Sequence, residues 1–112
     1  MTTRIAIIGA GLAGLTLAHR LQSKGQLKVA LFEKADIVGG RLSSVRSGGF
    51  AFDHGAQYFT IRGDDFREFL EPALQQGIVV PWDPHIVTLE KGQAAIPEPR
   101  DETIYVAAPG MG

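Results

Sequence analysis

The chain opens on a stretch that few folds accommodate: Arg4-Ile-Ala-Ile-Ile-Gly-Ala-Gly-Leu-Ala-Gly14, an apolar run that empties into three glycines, Gly9, Gly11 and Gly14. Arg4 to Ile8 is β-branched and alanine-rich with no polar break after Arg4, the pattern of a strand buried on both faces of a parallel sheet. From Leu12 the period changes. Leu12, Leu15, Leu17, Ala18 and Leu21 recur at helical spacing, and Ser23-Lys24-Gly25 supplies a glycine stop with a cation in the last turn. A second apolar run, Leu27 to Phe32, ends at Glu33-Lys34. The order strand, helix, strand requires a parallel pair joined by a right-handed crossover.

Three glycines at that joint have a chemical use. They let the backbone turn tightly, approach a pyrophosphate closely and press the helix onto the strand, while the helix N-terminus offers free N–H groups and the positive end of its dipole. The spacing alone is a weak signal, but here it follows a strand, opens a helix, and has Glu33 about 20 residues on at the end of the next strand. A carboxylate there accepts hydrogen bonds from a ribose diol and repels a 2′-phosphate, so NAD or FAD is favoured over NADP. Lys34 either touches the same ribose or is simply solvated. A second constellation, Gly39-Gly40-Arg41, lets the chain pass close beside a ligand and puts a guanidinium within reach of a pyrophosphate or its linker; a surface turn with a solvated arginine is the other reading.

Further along, Gly48-Gly49 reads as the tip of a hairpin joining a strand at Ser44 to Arg46 with one at Phe50 to Phe52. Asp53 to Phe59 forms a turn into a short aromatic strand. A helix is expected from Asp65 to Gln76, capped by Asp64 or Asp65 with Glu68 in a capping box, burying Phe66, Phe69, Leu70, Ala73 and Leu74 and stopped by Gly77. Ile78 to Val80, Ile86 to Leu89, Ala94 to Ile96 and Thr103 to Ala107 read as short strands of antiparallel sheet.

Composition narrows the function classes. A formal net charge of −1 leaves no basic field for nucleic acid or an anionic membrane. The absence of cysteine removes disulfides, thiolate catalysis and sulfur-ligated metals, and His19, His54 and His85 show no metal-ligand spacing. No apolar run is long enough for a signal peptide or a membrane span, so a soluble, cytoplasmic protein without a metal is expected.

The run Gly9-Ala-Gly-Leu-Ala-Gly14, then Glu33-Lys34, then Gly39-Gly40-Arg41, then Phe52-Asp-His-Gly-Ala-Gln-Tyr-Phe59, resembles the flavin-containing amine oxidase superfamily, most closely its renalase-like bacterial oxidoreductases. The closing Tyr105-Val-Ala-Ala-Pro-Gly-Met111 is similar to the same family. The resemblance implies a Rossmann-like α/β fold with FAD tightly held: its ribose on Glu33 and Lys34, its pyrophosphate over Gly9, Gly11, Leu12, Ala13 and Gly14, Arg41 beside Gly40 near the pyrophosphate or ribityl chain, and Gly55, Ala56, Gln57 and Tyr58 against the isoalloxazine. The implied reaction is hydride removal from a reduced small molecule, an amine or a dihydronicotinamide, with reoxidation by O2 to H2O2. The flavin carries that chemistry and the protein binds, orients and tunes it, so no catalytic side chain is assigned. Tyr58 and Phe59 also read as core aromatics, and His54 beside Asp53 points to the opposite face of an extended segment.

Relatives of that family are longer. Residues 1–60 are therefore expected to form the first part of a FAD-binding domain, and 61–112 a helix with the start of an antiparallel substrate-domain sheet. A two-strand parallel core would expose apolar edges, so marginal stability, or self-association through those edges, is expected. A non-catalytic dinucleotide-binding module is the competing reading.

Overall fold

A computed structural model describes residues 2–112. The chain divides into two compact units, one running to Gln57 and taking back Gly110–Gly112, the other spanning Tyr58–Pro109.

In the first unit, β1 (Thr3–Ile8) and β2 (Leu27–Phe32) pair in parallel, from Thr3 opposite Leu27 to Ile8 opposite Phe32, with α1 (Leu12–Gln22) between them in sequence and packed on the pair. The strand, helix, strand order and the parallel pairing are as the sequence pattern requires. The burial is not. Side chains alternate across a strand, so Ile5, Ile7, Leu27, Val29 and Leu31 lie on the covered face, whereas Ile8 is 82% exposed and Phe32 54% exposed on the other. An apolar run of this kind needs cover on both faces, and among the described residues α1 supplies it on one. A short 3-10 turn at Gly40–Leu42 leads into β3 (Ser44–Ser47), which pairs antiparallel with β4 (Phe50–Asp53). The two residues between them, Gly48 and Gly49, both have positive φ, the requirement of the tight hairpin turn whose twist matches the strands.

The second unit begins with β5 (Phe59–Thr60), followed by α2 (Asp64–Gln75), β6 (Val79–Trp82), β7 (Val87–Thr88), β8 (Ile96–Pro97) and β9 (Ile104–Ala107). β9 is the centre of an antiparallel sheet ordered β5-β9-β6, and β7 with β8 forms a separate antiparallel pair. Val79 and Ile104 are buried at its core. Phe59 stacks on Tyr105 at 6.1 Å between ring centroids and meets Phe66 at 6.3 Å, which stacks in turn on Phe69 at 6.5 Å.

Three helical expectations need correction. α2 starts one residue earlier than its apolar period indicates, and its N-cap is Gly63, with φ 83° and no side-chain cap bond. Asp64 and Asp65 occupy the first turn instead, where carboxylates face the positive end of the dipole. Pro72 lies inside the helix, and Phe66 and Phe69 are more than a third exposed rather than buried. The strand at 78–80 shifts to Val79–Trp82, and those expected at 86–89 and 94–96 give way to the two-residue strands Val87–Thr88 and Ile96–Pro97.

Candidate functional site

The joint between β1 and α1 is built almost wholly from main chain. The Gly9 N–H donates to the Phe32 carbonyl at 2.7 Å, carrying the parallel ladder one step past Ile8. Gly9 itself has φ +100°, a conformation that side chains rarely adopt. Ala10 is fully buried; its N–H donates to Glu33 Oε2 at 2.7 Å and its carbonyl accepts the Gly39 N–H at 2.8 Å. At Gly14 a Cβ would stand 2.0 Å from the Gly9 carbonyl oxygen, so the helix rests on the turn with no room for a methyl group.

Gly11 is different. As the N-cap of α1 its backbone is extended, φ −77° and ψ −177°, and a Cβ there would meet nothing within 4 Å. Neither conformation nor packing within the chain asks for glycine. No side chain caps the helix and no acidic residue sits in its first turn. The first-turn N–H groups of Leu12, Ala13 and Gly14 have no intrahelical partner by position and emerge at the helix N-terminus that Gly11 opens.

The Gly39-Gly40-Arg41 segment packs on this turn. Gly11 and Gly39 form a parallel bridge, and a Cβ on Gly40 would stand 3.4 Å from Gly11 Cα. Leu42 N–H and Ser43 N–H return to the Gly39 and Gly40 carbonyls, and the buried Ser43 hydroxyl donates to the Gly40 carbonyl at 2.7 Å. Arg41 is exposed; its carbonyl accepts the Ala56 N–H at 2.8 Å, and a Cβ on Gly55 would stand 2.0 Å from that carbonyl oxygen. The fold thus gathers Gly9, Gly11, Leu12, Ala13, Gly14, Glu33, Gly40, Arg41, Gly55 and Ala56 into one run of contacts. Lys34 and Gln57 are exposed beside it in the same unit. Tyr58 belongs to the second unit, where the Arg100 Nη2 donates to its hydroxyl at 3.1 Å and the guanidinium lies 4.8 Å from its ring centre.

Sequence reasoning passed over a second set of contacts. Asp53 Oδ1 accepts from the Ser44 hydroxyl and, at 3.0 Å, from the Met111 N–H, while the Gly112 N–H donates to Ser44 Oγ at 3.0 Å. These donors, the Ser44 hydroxyl first, hold the Asp53 carboxyl below the usual carboxylate range. A Cβ on Gly112 would stand 2.5 Å from Ser44 N. The glycine at each alternate position of Gly110-Met-Gly112 was the available signal. Ala10 had none beyond its place between two glycines.

Among the described residues no His, Cys, Asp or Glu group is arranged to hold a metal ion, and no helix is long and apolar enough to cross a membrane. An open cleft of about 520 Å³ in the second unit, lined by Trp82, Arg100 and Glu102 among others, includes none of the turn residues.

The chain is 37% identical over 78 residues to a 4,4′-diapophytoene desaturase (4,4′-diaponeurosporene-forming) of Staphylococcus aureus (strain MRSA252), spanning 61% of this chain and 15% of that protein. It is 49% identical over 55 residues to a 1-hydroxycarotenoid 3,4-desaturase of Flavobacterium sp. (strain P99-3), spanning 49% of this chain and 11% of that protein. The chain therefore covers a small part of the length of either relative. Residues 7–73, more than half of the sequence and all of the turn, Glu33 and the Gly39–Arg41 segment, match the NAD(P)-binding Rossmann-like domain, and the chain belongs to that family.

Proposed function

We propose that this chain is the dinucleotide-binding portion of a FAD-dependent oxidoreductase. The observation that carries the reading is Gly11, a glycine that the chain's own packing does not require, set at a helix N-terminus beside unpaired N–H groups. A side chain there would intrude on the space through which a pyrophosphate approaches those donors.

The residues present fit the group. Leu12, Ala13 and Gly14 donate N–H groups to the pyrophosphate, and Glu33, with a second lone pair on each oxygen, accepts from the ribose hydroxyls. Lys34 lies at the ribose edge. Arg41, carried by a segment that abuts the turn, reaches past the pyrophosphate to the ribityl chain, a part of FAD that NAD lacks. Ala56, whose N–H donates to the Arg41 carbonyl, and its neighbours Gly55 and Gln57 would lie toward the flavin. The chemistry that bound FAD would supply is acceptance of a hydride from a reduced small molecule, with reoxidation by O2 and a proton to give H2O2. The substrate class implied by the resemblance to flavin-containing amine oxidases is an amine or a dihydronicotinamide. Similarity to two carotenoid desaturases favours a second reading, in which the hydride leaves a carotenoid carbon.

The test is the purified 112-residue chain mixed with FAD, NAD and ADP. Retention of visible flavin absorbance, with Arg41→Ala weakening FAD about tenfold and NAD far less, supports FAD. A chain that binds ADP and NAD but not FAD overturns it in favour of a plain nucleotide module. H2O2 release from amines by the whole protein separates the amine from the carotenoid reading.

A further inference from the structure

Both oxygens of Glu33 are engaged with the protein itself. Oε2 accepts the Ala10 N–H at 2.7 Å and Oε1 accepts the Ala35 N–H at 3.0 Å. The second bond is local. The first crosses 23 residues of sequence, from the end of β2 to the crown of the glycine turn. Ala10 is fully buried, so its N–H could not exchange Glu33 for water without the turn opening. Its carbonyl is held from the opposite side by the Gly39 N–H. The Ala10 residue is thus gripped at both polar atoms, once by a side chain and once by the segment that carries Arg41.

We propose that Glu33 is a positioning residue for the phosphate turn: by pinning the Ala10 N–H it holds Gly9 to Gly11 in the shape that receives a pyrophosphate, in addition to meeting the ribose. The role rests on the dinucleotide reading above. It makes Glu33 contribute to binding even a ligand that has no ribose.

The charged residues of the segments that meet here are Lys34 and Asp36 on the stretch that carries Glu33 and the exposed Arg41 on the segment packed against the turn; the turn itself has no titratable side chain, and the first turn of α1 has no acidic one. The Glu33 carboxyl lies below its ordinary range because backbone N–H groups hold it, Ala35 first, then Ala10. A depressed folded value means that the clamp is complete above the ordinary glutamate range and is lost as pH falls through the lowered value.

Two measurements on the 112-residue chain test this. In the first, the amide resonances of Ala10 and Ala35 are followed from neutral to acid pH without ligand. Both should titrate together with a midpoint below that of a free glutamate. An Ala10 amide that stays flat while Ala35 moves overturns the positioning role and leaves ADP binding, and with it the reading of the site, intact. In the second, inorganic pyrophosphate and ADP are titrated into the chain and into Glu33→Ala. Removing a negative charge should by Coulomb attraction alone tighten pyrophosphate binding. We expect the reverse, a several-fold loss for pyrophosphate and a larger one for ADP, because alanine leaves the buried Ala10 N–H without its acceptor. Unchanged or tighter pyrophosphate binding by Glu33→Ala overturns the proposal. A chain that shows the Ala10 titration but binds neither pyrophosphate nor ADP overturns the dinucleotide reading instead, and with it the purpose of the clamp.

Discussion

Each of the two units of this chain is held by its own kind of contact. Around the glycine turn the bonds run from main chain to main chain, or from one carboxylate to main chain, and side chains matter chiefly where they are missing. In the second unit the main-chain ladders of β5-β9-β6 and β7-β8 are accompanied by contacts between side chains: the ring series Phe59, Tyr105, Phe66 and Phe69, the pair Arg62 with Glu102, and Arg100 on Tyr58. Main-chain contacts at 2.0 Å of a would-be Cβ tolerate no substitution, whereas exposed side-chain pairs tolerate many. The two units should therefore respond to mutation on different scales.

The largest effect is expected at Gly14. Gly14→Ala puts a methyl carbon into the Gly9 carbonyl and should destabilise the first unit by about 3 kcal/mol, seen as a lower denaturant midpoint and lost dispersion of the turn amides. Gly11→Ala should separate ligand binding from folding. Loss of N-cap preference and the stiffer unfolded chain oppose each other, so stability should change by less than about 1 kcal/mol, while ADP affinity falls about tenfold. Equal losses of stability at the two glycines would erase the distinction between a glycine that the fold requires and one that a ligand requires. The smallest effect belongs to Arg62→Ala. Its partner Glu102 is bonded at 2.7 and 2.9 Å, yet both side chains are exposed, so thermal unfolding at moderate salt should hardly move.

These outcomes also bear on what could be read from residues alone. The βαβ order, the parallel pairing and the Gly48-Gly49 hairpin were legible because each rests on local rules: a period of two, a period of 3.6, a pair of left-handed glycines. The burial of β1 was not legible, because the identity of Ile8 says that the position suits an apolar neighbour and not which chain segment provides one. The cap of α2 was misread for a related reason. Asp64 and Asp65 have the chemistry of a cap, but the preceding Gly63 takes the non-helical position and leaves them to the first turn. At the site, Glu33 was assigned to a ribose from its place after a strand, while its bond to Ala10 depends on how far β2 carries it along β1. Gly39 was noticed as half of a pair, yet its partner Ala10 is an ordinary alanine whose role lies in its peptide groups, which no side-chain alphabet records.

The return of Gly110–Gly112 to Ser44 and Asp53 has a consequence for how such a chain can vary. The polypeptide leaves the first unit after Gln57 and is fastened to it again at Met111, so that Tyr58–Pro109 is topologically a closed loop clasped at its neck. The entropy of closing a loop grows only with the logarithm of its length, each doubling costing about 0.6 kcal/mol. The neck is fixed by close main-chain approach at Gly112 and by one aspartate; the contents of the loop are nearly unconstrained by it. An excursion of another length could be clasped by the same contacts without disturbing Gly9 to Gly14.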